Sequence, residues 1–98
     1  MKKELLSPAG DMESLLEAIH NGADAVYLAM KSFGARKFAR NFSKEEIIEA
    51  IKLCHLYGVR IYVTMNTLVK ESEVEDFLEQ VKFLHVNGVD AIIMQDFG

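Results

Sequence analysis

The chain lacks tryptophan and has one cysteine and one proline in 98 residues. A single cysteine excludes an intrachain disulfide, and with it a metal site built from several thiolates of this chain. No apolar run approaches the roughly 20 residues that a membrane-spanning helix needs. The start, Met1-Lys2-Lys3-Glu4-Leu5-Leu6-Ser7-Pro8, has an apolar part too short for a signal peptide. These absences read as a soluble cytoplasmic protein with no membrane partner. Positive charge is also in the minority: 11 Lys and Arg against 15 Asp and Glu give a net charge of −4. Nucleic acid and anionic membranes therefore have no global electrostatic claim on the chain, although a local basic segment still counts. Half of the residues are hydrophobic, enough for the core of one small domain.

What is present is a phrase used three times. Asn21-Gly22-Ala23-Asp24-Ala25-Val26-Tyr27-Leu28 returns as Tyr57-Gly58-Val59-Arg60-Ile61-Tyr62-Val63-Thr64, and again as Asn87-Gly88-Val89-Asp90-Ala91-Ile92-Ile93-Met94. Each copy reads as a helix end, a glycine stop, a polar residue and a short apolar strand. Glycine closes the last helical turn in a left-handed conformation at no Cβ cost. The apolar runs suit parallel strands buried on both faces.

Between the copies the periodicity predicts helices. Asp11 caps one with Met12, Leu15, Leu16 and Ile19 on a single face. Ser43-Lys44-Glu45-Glu46 is a capping box that opens a second, with Ile47, Ile51 and Cys54 inward. Ser72-Glu73-Val74-Glu75 is a second box, placing Val74, Phe77, Leu78, Val81 and Leu84 inward on a third helix. The strands are expected over residues 3–7, 25–29, 59–64 and 91–94, with Pro8 closing the first. The order is βαβαβαβ. Right-handed crossovers with strands in order 1-2-3-4 place all three helices on one side of the sheet. That is half of a (β/α)8 barrel, whose full size is about 250 residues, so residues 1–98 are expected to form the amino-terminal half-barrel of a longer catalytic domain. A doubly wound open sheet is the alternative, and Ser7-Pro8-Ala9-Gly10-Asp11 lacks the glycine-rich fingerprint that it would carry. Open sheet edges and a bare face predict self-association.

In such a fold the chemistry sits at the carboxyl ends of the strands. The most distinctive segment there is Lys31-Ser32-Phe33-Gly34-Ala35-Arg36-Lys37-Phe38-Ala39-Arg40-Asn41-Phe42, in which four cations alternate with three phenylalanines. Guanidinium groups clamp carboxylate and phosphate, and aromatic rings stack on bases, so the segment points to RNA or another anionic substrate. It equally fits a long surface loop pinned by its phenylalanines. Thr64 and Asn66 are placed to hydrogen-bond a substrate oxygen, though Asn66 equally suits the turn after the third strand; Asp96 fits a base, part of a metal site beyond this segment, or a solvated terminus. Ser7 has no histidine at any other strand end to activate it. Glu4 reads either as the frayed solvent end of the first strand or as a carboxylate bound inside the barrel, and Cys54 as core. His20, His55 and His85 sit at helix ends, where the dipole suits them.

Taken in order, Glu4-Leu5-Leu6-Ser7-Pro8-Ala9-Gly10, Gly22-Ala23-Asp24-Ala25-Val26-Tyr27-Leu28, Arg40-Asn41-Phe42-Ser43, Tyr62-Val63-Thr64-Met65-Asn66 and Gly88-Val89-Asp90-Ala91-Ile92-Ile93 resemble the amino-terminal region of the collagenase-like peptidase family U-32. The resemblance implies a barrel-like catalytic domain acting on peptides, with no agreed nucleophile to carry over. It also implies the alternative of hydroxylating RNA bases or metabolites through an iron–sulfur cluster whose cysteines lie downstream; no cofactor or metal ligand falls within this segment. A third reading is a self-associating half-barrel without activity. The strand-end positions that carry over as pocket lining are Pro8, Gly10, Tyr27, Arg36, Arg40, Asn41, Thr64, Asn66 and Asp96.

Overall fold

The structure, a computed structural model, describes residues 4–30, 42–66 and 70–95. The element order is β1 (Leu6–Pro8), α1 (Met12–His20), β2 (Ala25–Met30), α2 (Lys44–Leu56), β3 (Arg60–Asn66), a 3-10 turn (Glu71–Glu73), α3 (Val74–Val86) and β4 (Ala91–Gln95). The four strands form one parallel sheet in the order β1-β2-β3-β4. Val26 and Leu28 of β2 and Ile61, Val63 and Met65 of β3 share one buried cluster with residues of all three helices. Every helix therefore lies on the same side of the sheet, as right-handed crossovers between sequential strands require.

The repeated phrase is a Schellman stop followed by a strand start. Gly22, Gly58 and Gly88 all have positive φ, at 82°, 71° and 90°. At each stop the glycine N–H donates to the carbonyl three residues back, and the next N–H donates to the carbonyl five back: Ala23 to Ala18, Val59 to Cys54, Val89 to Leu84. These pairs also meet in or against the core, the apolar contact that accompanies such a stop. The polar residue that follows begins the sheet. Asp24 N–H donates to Leu5 O at 2.9 Å while its carboxylate accepts from Leu5 N–H at 2.7 Å. Asp90 repeats the device two strands along, donating to Ile61 O and accepting from Ile61 N–H at 2.8 Å. Each carboxylate thus satisfies a backbone donor beside the start of the neighbouring strand.

The Asp90 carboxylate also takes His55 Nε2 at 2.8 Å, so the end of α2 is tied to the start of β4. Helix-dipole placement explains only part of His55. Asp90→Ala leaves the Ile61 N–H without this acceptor, and is expected to lower the unfolding free energy by about 1–3 kcal/mol, read from the urea midpoint.

The helix starts follow local chemistry. Asp11 accepts from Ser14 N–H at 2.8 Å, and this bond holds its carboxyl below the usual carboxylate range. Ser43 and Glu46 form the reciprocal capping box. The box expected at Ser72 does not form. Ser72 instead lies inside the 3-10 turn, where the Glu73 carboxylate accepts from Lys70 N–H at 3.1 Å. The helix proper begins at Val74, and its covered face runs through Phe77, Gln80, Val81 and Leu84, which leaves Val74 and Leu78 at the exposed edge. The helix is anchored by Leu84, with Phe77 and Val81 partly buried. Leu16 is likewise exposed, β1 begins three residues later than expected, and the other strand ends shift by at most two. Pro8 ends β1 as expected, as its last residue; the next donor to β2 is Ala9 N–H, bonded to Tyr27 O at 3.0 Å.

Cys54 is core, as its place on the α2 stripe implies. Burial, with the Asp90 carboxylate adding to it, pushes the thiol up to about 11 from 9.0. The thiolate is then costlier in the folded chain than in the unfolded one, so this group's contribution to stability is lost as pH rises from about 9 to about 11. Urea midpoints of the wild type and Cys54→Val across that window are expected to converge on the alkaline side. Parallel declines would dismiss the effect.

Candidate functional site

Alternation along the strands divides the sheet into two faces. The helix-packed face takes Val26, Leu28, Ile61, Val63 and Met65. The other face, which no helix among the described residues covers, carries the remaining positions, and the register stacks them into rows. Leu6, Ala25 and Arg60 form the lowest row, and Pro8, Tyr27, Tyr62 and Ala91 the middle one. Ala29, Thr64 and Ile93 form the upper row, and Asn66 pairs with Gln95 at the top. Neighbours within a row stand about 4.8 Å apart. Three expected pocket positions, Pro8, Tyr27 and Thr64, therefore share this face. Gly10 follows β1 in the turn into α1, and Asn66 closes β3. Arg36, Arg40, Asn41 and Asp96 lie outside the described residues, as does most of the 31–42 segment; its last residue, Phe42, is buried in the core beside α2.

Tyr27 and Tyr62 are half-buried and adjacent in the middle row, giving the face an aromatic centre. Thr64 is buried, and its hydroxyl donates to Leu28 O at 3.3 Å, a weak bond to the neighbouring strand. The threonine hydroxyl is thus engaged with the sheet. Ser7 sits on the opposite parity and is half-buried towards the helices.

Glu4 lies exposed ahead of β1, and it is also bound. Its carboxylate accepts from Arg60 Nη1 at 3.1 Å across the intervening strand, and Tyr62 OH lies 3.4 Å from the same oxygen. The small Ala25 between them leaves room for the bridge. Bonding to Tyr62, then the Glu4 charge, raise Arg60 above its ordinary range. The signal for this cluster was present in β3, where Arg60-Ile61-Tyr62-Val63-Thr64-Met65 alternates polar and apolar. It was masked by reading the strands as buried on both faces.

An iron–sulfur cluster takes cysteine thiolates as ligands. Cys54 is the chain's one cysteine and is packed on the helix side. Among the described residues no three His, Cys, Asp or Glu side chains converge on a common point. No helix among them is long and apolar enough to cross a membrane.

Comparison with known proteins places this geometry. The chain is 46% identical over 95 residues to the 23S rRNA 5-hydroxycytidine C2501 synthase of Escherichia coli, a match covering 97% of this chain and 14% of that protein. It is 40% identical to tRNA hydroxylation protein P1 of Bacillus subtilis, over 97% of this chain and 22% of that protein. It is 31% identical to a collagenase of Porphyromonas gingivalis, over 95% of this chain and 23% of that protein. The chain thus spans between about a seventh and a quarter of these relatives' lengths. A solved U32 peptidase structure superposes with a TM-score of 0.69 at 11% identity, covering 97% of this chain and 41% of that one, a likeness of fold. The family model for peptidase family U32 matches residues 10–98, and the chain belongs to that family.

Proposed function

We propose that this chain serves in RNA hydroxylation, contributing a substrate-binding part of the site. The observation that carries the reading is the 46% identity to an rRNA hydroxycytidine synthase, joined by the 40% identity to a tRNA hydroxylation protein. The chemistry on the page agrees with it. The bare sheet face has an aromatic centre at Tyr27 and Tyr62, suited to stacking on a base. The stretch from Lys31 to Arg40, which follows directly on β2, supplies the cations that phosphate requires.

Peptide hydrolysis is the second reading, favoured by the family's name and by the collagenase relative. It has less support from the described residues. Ser7 faces the helices, and His20, His55 and His85 lie at helix carboxyl ends, opposite the strand ends.

A chimera separates the two. The 95 matched residues of the E. coli synthase are replaced by this chain, and the hybrid is expressed in cells lacking that enzyme. Hydroxycytidine in 23S rRNA, measured by mass spectrometry of nucleosides, is expected to return. A soluble hybrid that restores none, while cleaving peptides, would overturn the proposal.

A further inference from the structure

We propose that Asn21 is a site of spontaneous modification, where the carboxamide closes onto the Gly22 nitrogen as a succinimide and opens with water to aspartate and isoaspartate. Asn87, in the same dipeptide and the same turn, is held out of this reaction.

The sequence supplies the reactive pair twice. Asn21-Gly22 and Asn87-Gly88 open two of the three repeated phrases, and Tyr57 takes that place in the remaining one. Glycine has no Cβ, so nothing on it hinders attack by its own nitrogen. Asn41 and Asn66 precede Phe42 and Thr67, whose side chains stand in the way. The step needs no reagent other than water. The glycine nitrogen gives up its proton and bonds the asparagine Cγ; the Cγ–Nδ2 bond breaks, and Nδ2 leaves as ammonia with that proton. Water then opens either carbonyl of the ring. One opening leaves an ordinary aspartate, and the other routes the backbone through the side chain as isoaspartate. No group is oxidised or reduced.

Both sites start from the same restrained geometry. Asn21 has a ψ of 8° and Asn87 a ψ of 0°, and ring closure needs a large turn about that bond. Gly22 N–H donates to Ile19 O and Gly88 N–H to His85 O, each at 3.1 Å, so the last helical turn must open first. Three observations separate the two. Asn87 is half-buried and its Nδ2 donates to Phe83 O at 2.8 Å; Asn21 is exposed, and its carboxamide has no partner among the described residues. A Cβ at Gly88 would meet His55 Cε1 at 3.9 Å, and His55 is itself tied to Asp90, whereas a Cβ at Gly22 would meet nothing within 4 Å. Finally, α1 has 9 residues, while α3 has 13 and ends on the fully buried Leu84. A short helix holds its last turn less firmly, and that turn opens locally more often.

The product acts on the start of the sheet. A new carboxylate at position 21 stands at the carboxyl end of α1, where the helix dipole disfavours it. Isoaspartate adds a methylene to the backbone shortly before Asp24, whose N–H and carboxylate set β2 against the residue ahead of β1. Ageing at Asn21 therefore loosens the α1–β2 connection.

The test is peptide mapping by mass spectrometry of the protein at its full natural length, aged while folded in mildly alkaline buffer made with oxygen-18 water. The Asn21 peptide is expected to lose ammonia and take up labelled oxygen roughly two to ten times faster than the Asn87 peptide, the factor that one intact hydrogen bond supplies. In denaturing urea the two rates are expected to converge, since the turn that separates them is gone. Aged protein is expected to have a lower urea midpoint than fresh protein. Asn21→Gln, whose longer side chain closes far more slowly, is expected to keep its midpoint through the same ageing. Equal rates in the folded protein, a faster Asn87, a difference that persists in urea, or an aged midpoint equal to the fresh one would each overturn the proposal. These outcomes are independent of the RNA reading, since none of them uses RNA.

Discussion

Leu84→Ala is expected to lower the unfolding free energy by about 2–5 kcal/mol, the range for removing a fully buried leucine. Leu84 has no exposed surface and is the one fully buried apolar side chain of α3; Phe77 and Val81 are only partly covered. It also accepts the Val89 N–H through its carbonyl at the helix stop, so the cavity opens where α3 turns into β4. A domain of this length has a total stability of roughly 5–15 kcal/mol, and the variant spends a large part of that. The contrast lies on the same helix. Leu78 is 58% exposed, so Leu78→Ala is expected to change the monomer's stability by less than about 0.5 kcal/mol. Urea titrations of the two variants check both numbers. Comparable losses would mean that the helix is held along a different stripe.

That stripe is also where the sequence misled. Heptad-like spacing from the presumed box at Ser72 put Val74 and Leu78 inside, because a capping box and an apolar repeat agreed with each other. The covered stripe is centred on Phe77, Gln80 and Leu84, and at about 100° per residue Val74 and Leu78 fall at its edge, so Gln80 takes the buried place that an apolar count does not give it. Where the local chemistry was unambiguous it was legible: Asp11, the Ser43–Glu46 box and the three left-handed glycines all stand where the residue types place them. Strand order and the side taken by the helices were legible too, since both follow from the handedness of crossovers and not from any residue. The Glu4–Arg60 pair was not, because it joins residues 56 apart through a strand that neither belongs to. Sequence spacing holds no record of such a contact until the register is known. The same is true of Asp90, whose carboxylate serves a strand 29 residues earlier.

For the site, the resemblance named Pro8, Tyr27 and Thr64 as pocket lining, and it is the register that puts them on a common face. The Thr64 hydroxyl donates to Leu28 O and is buried, so what it keeps for a ligand is its acceptor lone pairs. The aromatic pair Tyr27–Tyr62 is the better handle, with one member supplied by a strand whose alternation had been overlooked.

Two kinds of substitution are expected to weaken RNA binding by different physics. In the chimeric synthase, Arg36→Ala with Arg40→Ala removes two phosphate partners. Each contact to single-stranded RNA contributes about 0.7 to the slope of log K against log salt, so the slope should fall by about 1.4 and affinity at 0.1 M salt by roughly 25-fold. Tyr27→Ala removes a stacking surface worth about 1–3 kcal/mol per base, a loss of roughly 5- to 150-fold that should leave the salt slope unchanged. Tyr27→Phe keeps the ring and should bind within about twofold of the parent. Filter binding at several salt concentrations reads all of these together. If the double arginine variant keeps the parent slope, the cations between residues 31 and 40 do not hold phosphate. If Tyr27→Ala binds as the parent does, the aromatic row serves the sheet and not the base. The two results are independent, because ion release and stacking respond to salt in different ways, so either half of the proposed RNA surface can fail without the other.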